Sequence, residues 1–177
     1  MNSRTILSSG GYERAESPLV RLVEAAVSMC GRVPHSLIAL LGRFSIAAVF
    51  WKSGQTKVEG FAIDLIEGQF TLGVPHLSES AIALFQDEYK LPLLAPGIAA
   101  SLAALAEHAL PVLILLGLGT RFSALGLLAM TLVIQLFVYP GAYPTHGVWA
   151  TVLLYLIAKG PGVISVDYLL ARVYRRR

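Results

Sequence analysis

The chain has a single cysteine, Cys30, among 177 residues. An intramolecular disulfide is excluded, and so is an all-cysteine iron–sulfur cluster within one chain. There is no CxxC and no glycine-rich dinucleotide fingerprint, so no electron carrier is evident in the sequence. Charge is also scarce. Charged residues make up 14% against 55% hydrophobic, and the mean hydropathy is +0.66. That balance does not describe an ordinary soluble domain of this size.

The apolar residues come in blocks, at Ser36–Lys52, Ile98–Leu118, Phe122–Tyr139 and, more briefly, Gly147–Lys159. Crossing about 30 Å of hydrocarbon takes roughly 20 residues of helix. The blocks predict an all-α membrane protein: a four-transmembrane-helix bundle with a long extracytoplasmic loop between helices one and two. Residues 1–34 read as a polar tail, 35–171 as the membrane domain, and 172–177 as a basic C-terminal tail. No cleaved signal peptide is expected. Ser17–Met29 is weakly amphipathic and reads either as a surface-lying segment or as a partly ordered tail.

Ten of the fourteen Lys and Arg residues fall on one side of this arrangement: Arg4, Arg14, Arg21, Arg32, Arg121, Lys159, Arg172 and Arg175–Arg177. The positive-inside rule places both termini in the cytoplasm. The basic flanks suit anionic lipid headgroups rather than nucleic acid. The first outer loop, residues 54–96, is long and acidic (Glu59, Asp64, Glu67, Glu79, Asp87, Glu88). Its "SAIALFQDEYKLP" predicts a short helix on the outer rim, followed by a turn into helix two. The third loop, "YPGAYPTHG", reads as a proline-fixed turn.

Two charges lie inside the apolar blocks, and an unpaired charge there is costly. Arg43 is seven residues from the inner end of helix one and Glu107 is ten from the same face of helix two, depths of roughly 10 and 15 Å. The expectation is an Arg43–Glu107 ion pair. Pro111 cannot donate to the Glu107 carbonyl, which would leave an acceptor open for Arg43, His108, water or a ligand. The pair reads either as a structural lock on helix register or as the lining of a ligand or proton site. His108 reads as a packing or hydrogen-bonding residue, with a ligand role as the alternative, and Gln135 is expected to bond across helices. An outer polar rim gathers Lys52, Ser53, Lys57, Asp87, Glu88, Tyr89 and His146. Lys52 and Lys57 face Asp87 and Glu88 as ion-pair partners there, or the rim is simply solvated. No metal site is expected; the nearest candidate would bring His76 and His146 to Asp87 or Glu88. Haem is not expected either, since only His108 lies at mid-membrane depth.

The chain resembles the DoxX family of small bacterial membrane proteins, over about Leu41 to Asp167. The likeness rests on "RFSIAAVFWKSGQTK", "FQDEYKLPLLAPGIAASLAALAEHALPVLILLGLGTR", "MTLVIQLFVYPGAYPTHGVWA" and "GPGVISVD". By position, the helix-one arginine of that pattern matches Arg43, its Ser-Gly-x-x-Lys matches Ser53, Gly54 and Lys57, and its helix-two glutamate matches Glu107. The tail before Arg32 has no counterpart. The resemblance implies a redox-associated, quinone-interacting membrane subunit, with a membrane or periplasmic redox partner protein carrying the electrons. The alternative is a non-catalytic scaffold or assembly factor that docks a partner through its outer loop. A small-solute carrier would need a hydrated path, and one intramembrane charge pair does not supply it.

Overall fold

The computed structural model describes residues 17–64 and 68–175. Arg4, Arg14, Glu67, Arg176 and Arg177 lie outside the described residues. The chain divides into two compact units between Val33 and Pro34. In the first, α1 (Pro18–Cys30) starts on Ser17, whose Oγ accepts the Val20 N–H, and no residue of it is buried.

The second unit is a helical bundle. Three helical spans are long and apolar enough to cross a membrane: α2 (His35–Gln55), α4 (Pro96–Leu116), and α5 (Thr120–Val133) continued to Val138 by a π-turn. A further helix, α6 (Tyr143–Lys159), packs against α5 and α2. It starts four residues before the predicted block, so the expected third loop shrinks to one 3₁₀ turn at Pro140–Ala142. The core joins Ala39, Ile46, Ala47 and Phe50 of α2 to Ile114, Ala124, Leu127, Leu153 and Leu156. Small side chains at these crossings let the helices approach closely.

Glycine sets the turn between α4 and α5. Gly117 takes φ 70° and its N–H closes the last turn of α4, while Gly119, at φ 55°, opens α5. A last helix, α7 (Val166–Tyr174), is capped by Ser165, whose Oγ accepts the Tyr168 N–H. The basic tail expected from residue 172 is therefore helical through Tyr174.

The long first loop contains an element that the sequence did not announce. Strands β1 (Val58–Asp64) and β2 (Gln69–Leu77) form an antiparallel hairpin with a bulge between Glu59 and Phe61. The expected rim helix follows as α3 (Glu79–Leu84), and a π-turn at Phe85–Tyr89 ends on Lys90 in the left-handed conformation.

Candidate functional site

The two buried charges do not meet. The expectation assumed that helices one and two begin flush at the inner face. They are staggered by about two turns: Gly54 of α2 packs on Glu107 and His108, whereas Gly117, at the end of α4, packs on the Arg43 guanidinium. Arg43 therefore lies one bundle end away from Glu107. Among the described residues its guanidinium hydrogen-bonds to four carbonyls. It donates to Ile114 O at 2.8 Å, Ile164 O at 2.6 Å, Pro161 O at 3.2 Å, and Leu115 O. The last turn of α4 and the segment after α6 are thereby tied to one side chain. The carbonyl of Glu107, expected to be opened by Pro111, is not among its acceptors.

Glu107 has a different partner. Lys57 Nζ lies 2.7 Å from Glu107 Oε2, with both side chains at most 4% exposed. Lys57 also donates to Ser53 Oγ at 3.1 Å, and Ser53 Oγ donates to Glu107 Oε1 at 3.2 Å. The i, i+4 spacing of Ser53 and Lys57 brings both to one side of the end of α2. Gly54 makes the approach possible, since a Cβ there would stand 3.0 Å from the His108 ring and 3.1 Å from Glu107 Cβ. Among the described residues Lys57 is the one group that reaches Oε2, as counter-charge and at donor distance. A carboxylate oxygen can accept a second hydrogen bond.

Glu107 also lines a cavity of about 340 Å³. One wall is α4 (Ala99, Leu102, Ala103, Ala106), another is Met130 to Val138 of α5, and Phe85, Tyr89 and Leu91 form the third. Two π-turns, Phe85–Tyr89 and Ile134–Val138, therefore flank it. The lining is apolar except for the Glu107 carboxylate and the Tyr89 hydroxyl. Leu102 and Val133 are exposed lining residues, so the rim opens on the apolar outer surface of the helices. Burial pushes the Tyr89 phenol above its ordinary range, and the Glu107 charge adds to this. Tyr89 stacks on Phe85 and meets Tyr139 edge-on, with ring centroids 4.6 and 5.8 Å apart. Tyr139 O–H donates to Glu88, and this bond, with burial adding, pushes its phenol far up.

His108 sits beside this site in an aromatic box. Its Nδ1–H donates to Ala104 O at 2.7 Å, so Nε2 is the acceptor for Gln55 Nε2 at 2.8 Å. Gln55 Oε1 in turn accepts the Ile63 N–H, and Trp51 Nε1 donates to Ile63 O. Trp51 and Phe61 pack on the imidazole at 5.1 and 6.3 Å. These bonds tie β1 to α2 and to His108.

The remaining expected residues disperse. Lys57 is taken by Glu107 and Glu88 by Tyr139, so the predicted Lys57–Asp87/Glu88 pairs do not form. Lys52 and Asp87 lie on the exposed surface. Gln135 bridges helices as expected: its Oε1 is 2.7 Å from His146 Nδ1, and its Nε2 donates to Pro140 O. His146 is buried there, while His76 is exposed beside Glu59, so the two histidines considered for a metal do not converge. Among the described residues no cluster of three His, Cys, Asp or Glu forms. Gln55, Phe61 and Tyr139 were missed. Nothing short of the hairpin's position marks the first two, whereas Tyr139 ends the helix-three block.

Apolar spans, a buried lysine–glutamate pair and a lipid-facing cavity define a membrane protein with a polar site set inside its bundle. The DoxX family model matches residues 38–140, more than half of the chain, and the chain belongs to the DoxX family. No curated protein and no solved structure matches it.

Proposed function

We propose that the protein is a redox-associated subunit of the bacterial inner membrane that holds a lipophilic quinone in the cavity beside Glu107. In this reading α6 is the fourth membrane crossing and both termini are cytoplasmic, as the basic residues at the α4–α5 turn and the end of α6 favour. The electrons belong to the quinone and to a partner protein. One observation supports the reading: Glu107, paired with the buried Lys57, is one of two polar residues lining an otherwise apolar cavity. Cavities of this size suit a ring-sized head group with a few placed polar contacts. Glu107 and Tyr89 would hold the head group, and the tail would leave past Leu102 and Val133. The Glu107 carboxyl offers the head group a hydrogen-bonding contact beside Lys57.

The test is mass spectrometry of lipids extracted from the detergent-purified protein. Quinone or quinol near one per chain, lost in Glu107→Gln while the protein still melts cooperatively, is the expected result. A ligand-free wild type would overturn the reading. The second reading, a scaffold, is favoured by β2, whose Phe70, Leu72 and Val74 are all exposed. Crosslinking from β2 to one stoichiometric partner protein in intact membranes, with no quinone on the purified chain, would support it.

A further inference from the structure

The first turn of α7 is bonded to the turn between two candidate membrane spans. Asp167 N–H donates to Gly117 O at 2.9 Å, and its carboxylate accepts the N–H groups of Gly119 and Thr120 at 2.8 and 3.0 Å. Arg43 holds the approach to α7 through the carbonyls of Pro161 and Ile164. The start of α7 is therefore fixed, although none of its nine residues is buried.

The height of that start is informative. Gly117 packs on the Arg43 guanidinium, and α2 continues from Gly42 back to His35 beyond this level, roughly 12 Å of helix. That stretch belongs to a candidate span and leaves Leu37, Ile38 and Leu41 exposed at 56%, 44% and 65%. So α7 begins where a neighbouring helix still presents apolar side chains to its surroundings. Its own sequence suits that medium. At 100° per residue, Val166, Leu169, Leu170 and Val173 fall within an arc of about 100°. Leu169, Leu170 and Val173 are exposed. Arg175 falls on the opposite side, and Arg172 flanks the arc, about 60° from Leu169.

We propose that α7 is an interfacial helix, with its apolar face at the acyl–headgroup boundary and its arginines against anionic lipid headgroups. Charge complementarity selects the occupant. Lys159 ends α6, and Arg121 of α5 lies at the same end, its Nη2 3.6 Å from where a Gly160 Cβ would stand. The sole acid from Lys159 to Arg175 is Asp167, and its carboxylate is committed to the start of α5. A basic rim around an uncovered apolar face fits an anionic bilayer surface.

The test uses the full chain with Cys30→Ser, spin-labelled at Leu170→Cys or, separately, at Arg172→Cys. It is reconstituted in nanodiscs of phosphatidylcholine with or without phosphatidylglycerol. Collisions with oxygen report acyl contact, and collisions with a water-soluble nickel chelate report water. The expected result is an oxygen-accessible Leu170 site and a nickel-accessible Arg172 site, with the contrast strengthened by phosphatidylglycerol. Adding Arg175→Gln to the Leu170 label should weaken the phosphatidylglycerol effect. A Leu170 site open to nickel in both lipids would overturn the proposal, because α7 would then stand in water. A site closed to both reagents would overturn it too, because a second copy or another protein would cover that face. Labelled variants that melt as the unlabelled chain does tie either outcome to α7 rather than to folding.

Discussion

Arg43 and Glu107 are both buried charges, and the molecule treats them in opposite ways. Arg43 donates to four carbonyls from two chain segments. Glu107 is paired with one lysine, receives one hydroxyl, and lines a cavity. A completed charge acts as a clamp. Glu107, buried at the desolvation cost of an ion, borders the cavity on which the proposed function rests.

The largest expected effect tests the clamp. Arg43→Ala would strand the carbonyls of Ile114, Leu115, Pro161 and Ile164, at a cost of at least about 3 kcal/mol. We expect little protein in the membrane fraction and a collapsed thermal transition for what remains. The charge-swapped double variant, Arg43→Glu with Glu107→Arg, should fare no better, because the two groups share no bond. Recovery in the swap would restore the direct pair expected from sequence and erase the contrast.

The second prediction sharpens the other half. Lys57→Met leaves Glu107 buried without its counter-charge and should cost about 3 kcal/mol. Adding Glu107→Gln to Lys57→Met should recover most of that loss in the melting temperature. Additive losses would mean that the pair is not the stabilising unit.

The smallest effect lies at the cavity's edge. The bond to Glu88 raises the Tyr139 phenol, with burial adding to the shift, so folding favours its neutral form. The stabilisation is then fully present below the ordinary tyrosine value near pH 10 and is lost as pH rises through the raised folded value. Titrating absorbance at 295 nm through pH 10 should give the same phenolate step for wild type and Tyr139→Phe. A step smaller by one tyrosine in the variant would show that Tyr139 ionises normally and that the Glu88 bond is absent in solution. The variant itself should lose under about 1 kcal/mol of stability.

The spans were legible because hydrocarbon demands length and apolarity, and both can be read directly from the chain. Ser53, Lys57 and Glu107 were also singled out, but their pairing was not. Depth counted from the end of each helix assumes a common starting plane, and the stagger of α2 against α4 removes that plane. The hairpin was hidden for another reason. Its bulge at Glu59–Phe61 breaks the period-two pattern, and β2 exposes Phe70, Leu72 and Val74, so neither strand shows the half-buried alternation that marks one. For α7, Ser165 as a cap and the 166/169/170/173 spacing were present, but a terminal run of arginines reads first as a topology signal.

The π-turns on the cavity walls have a consequence for how the cavity can vary. Each closes with a bond five residues back, Lys90 to Phe85 and Tyr139 to Ile134, where an α-helix would reach four. Each wall thus contains one residue more than a regular helix needs. Removing the surplus residue from either turn would leave an ordinary α-helical turn in that wall, so the wider backbone on the cavity's two flanks is a matter of chain length and not of side-chain choice.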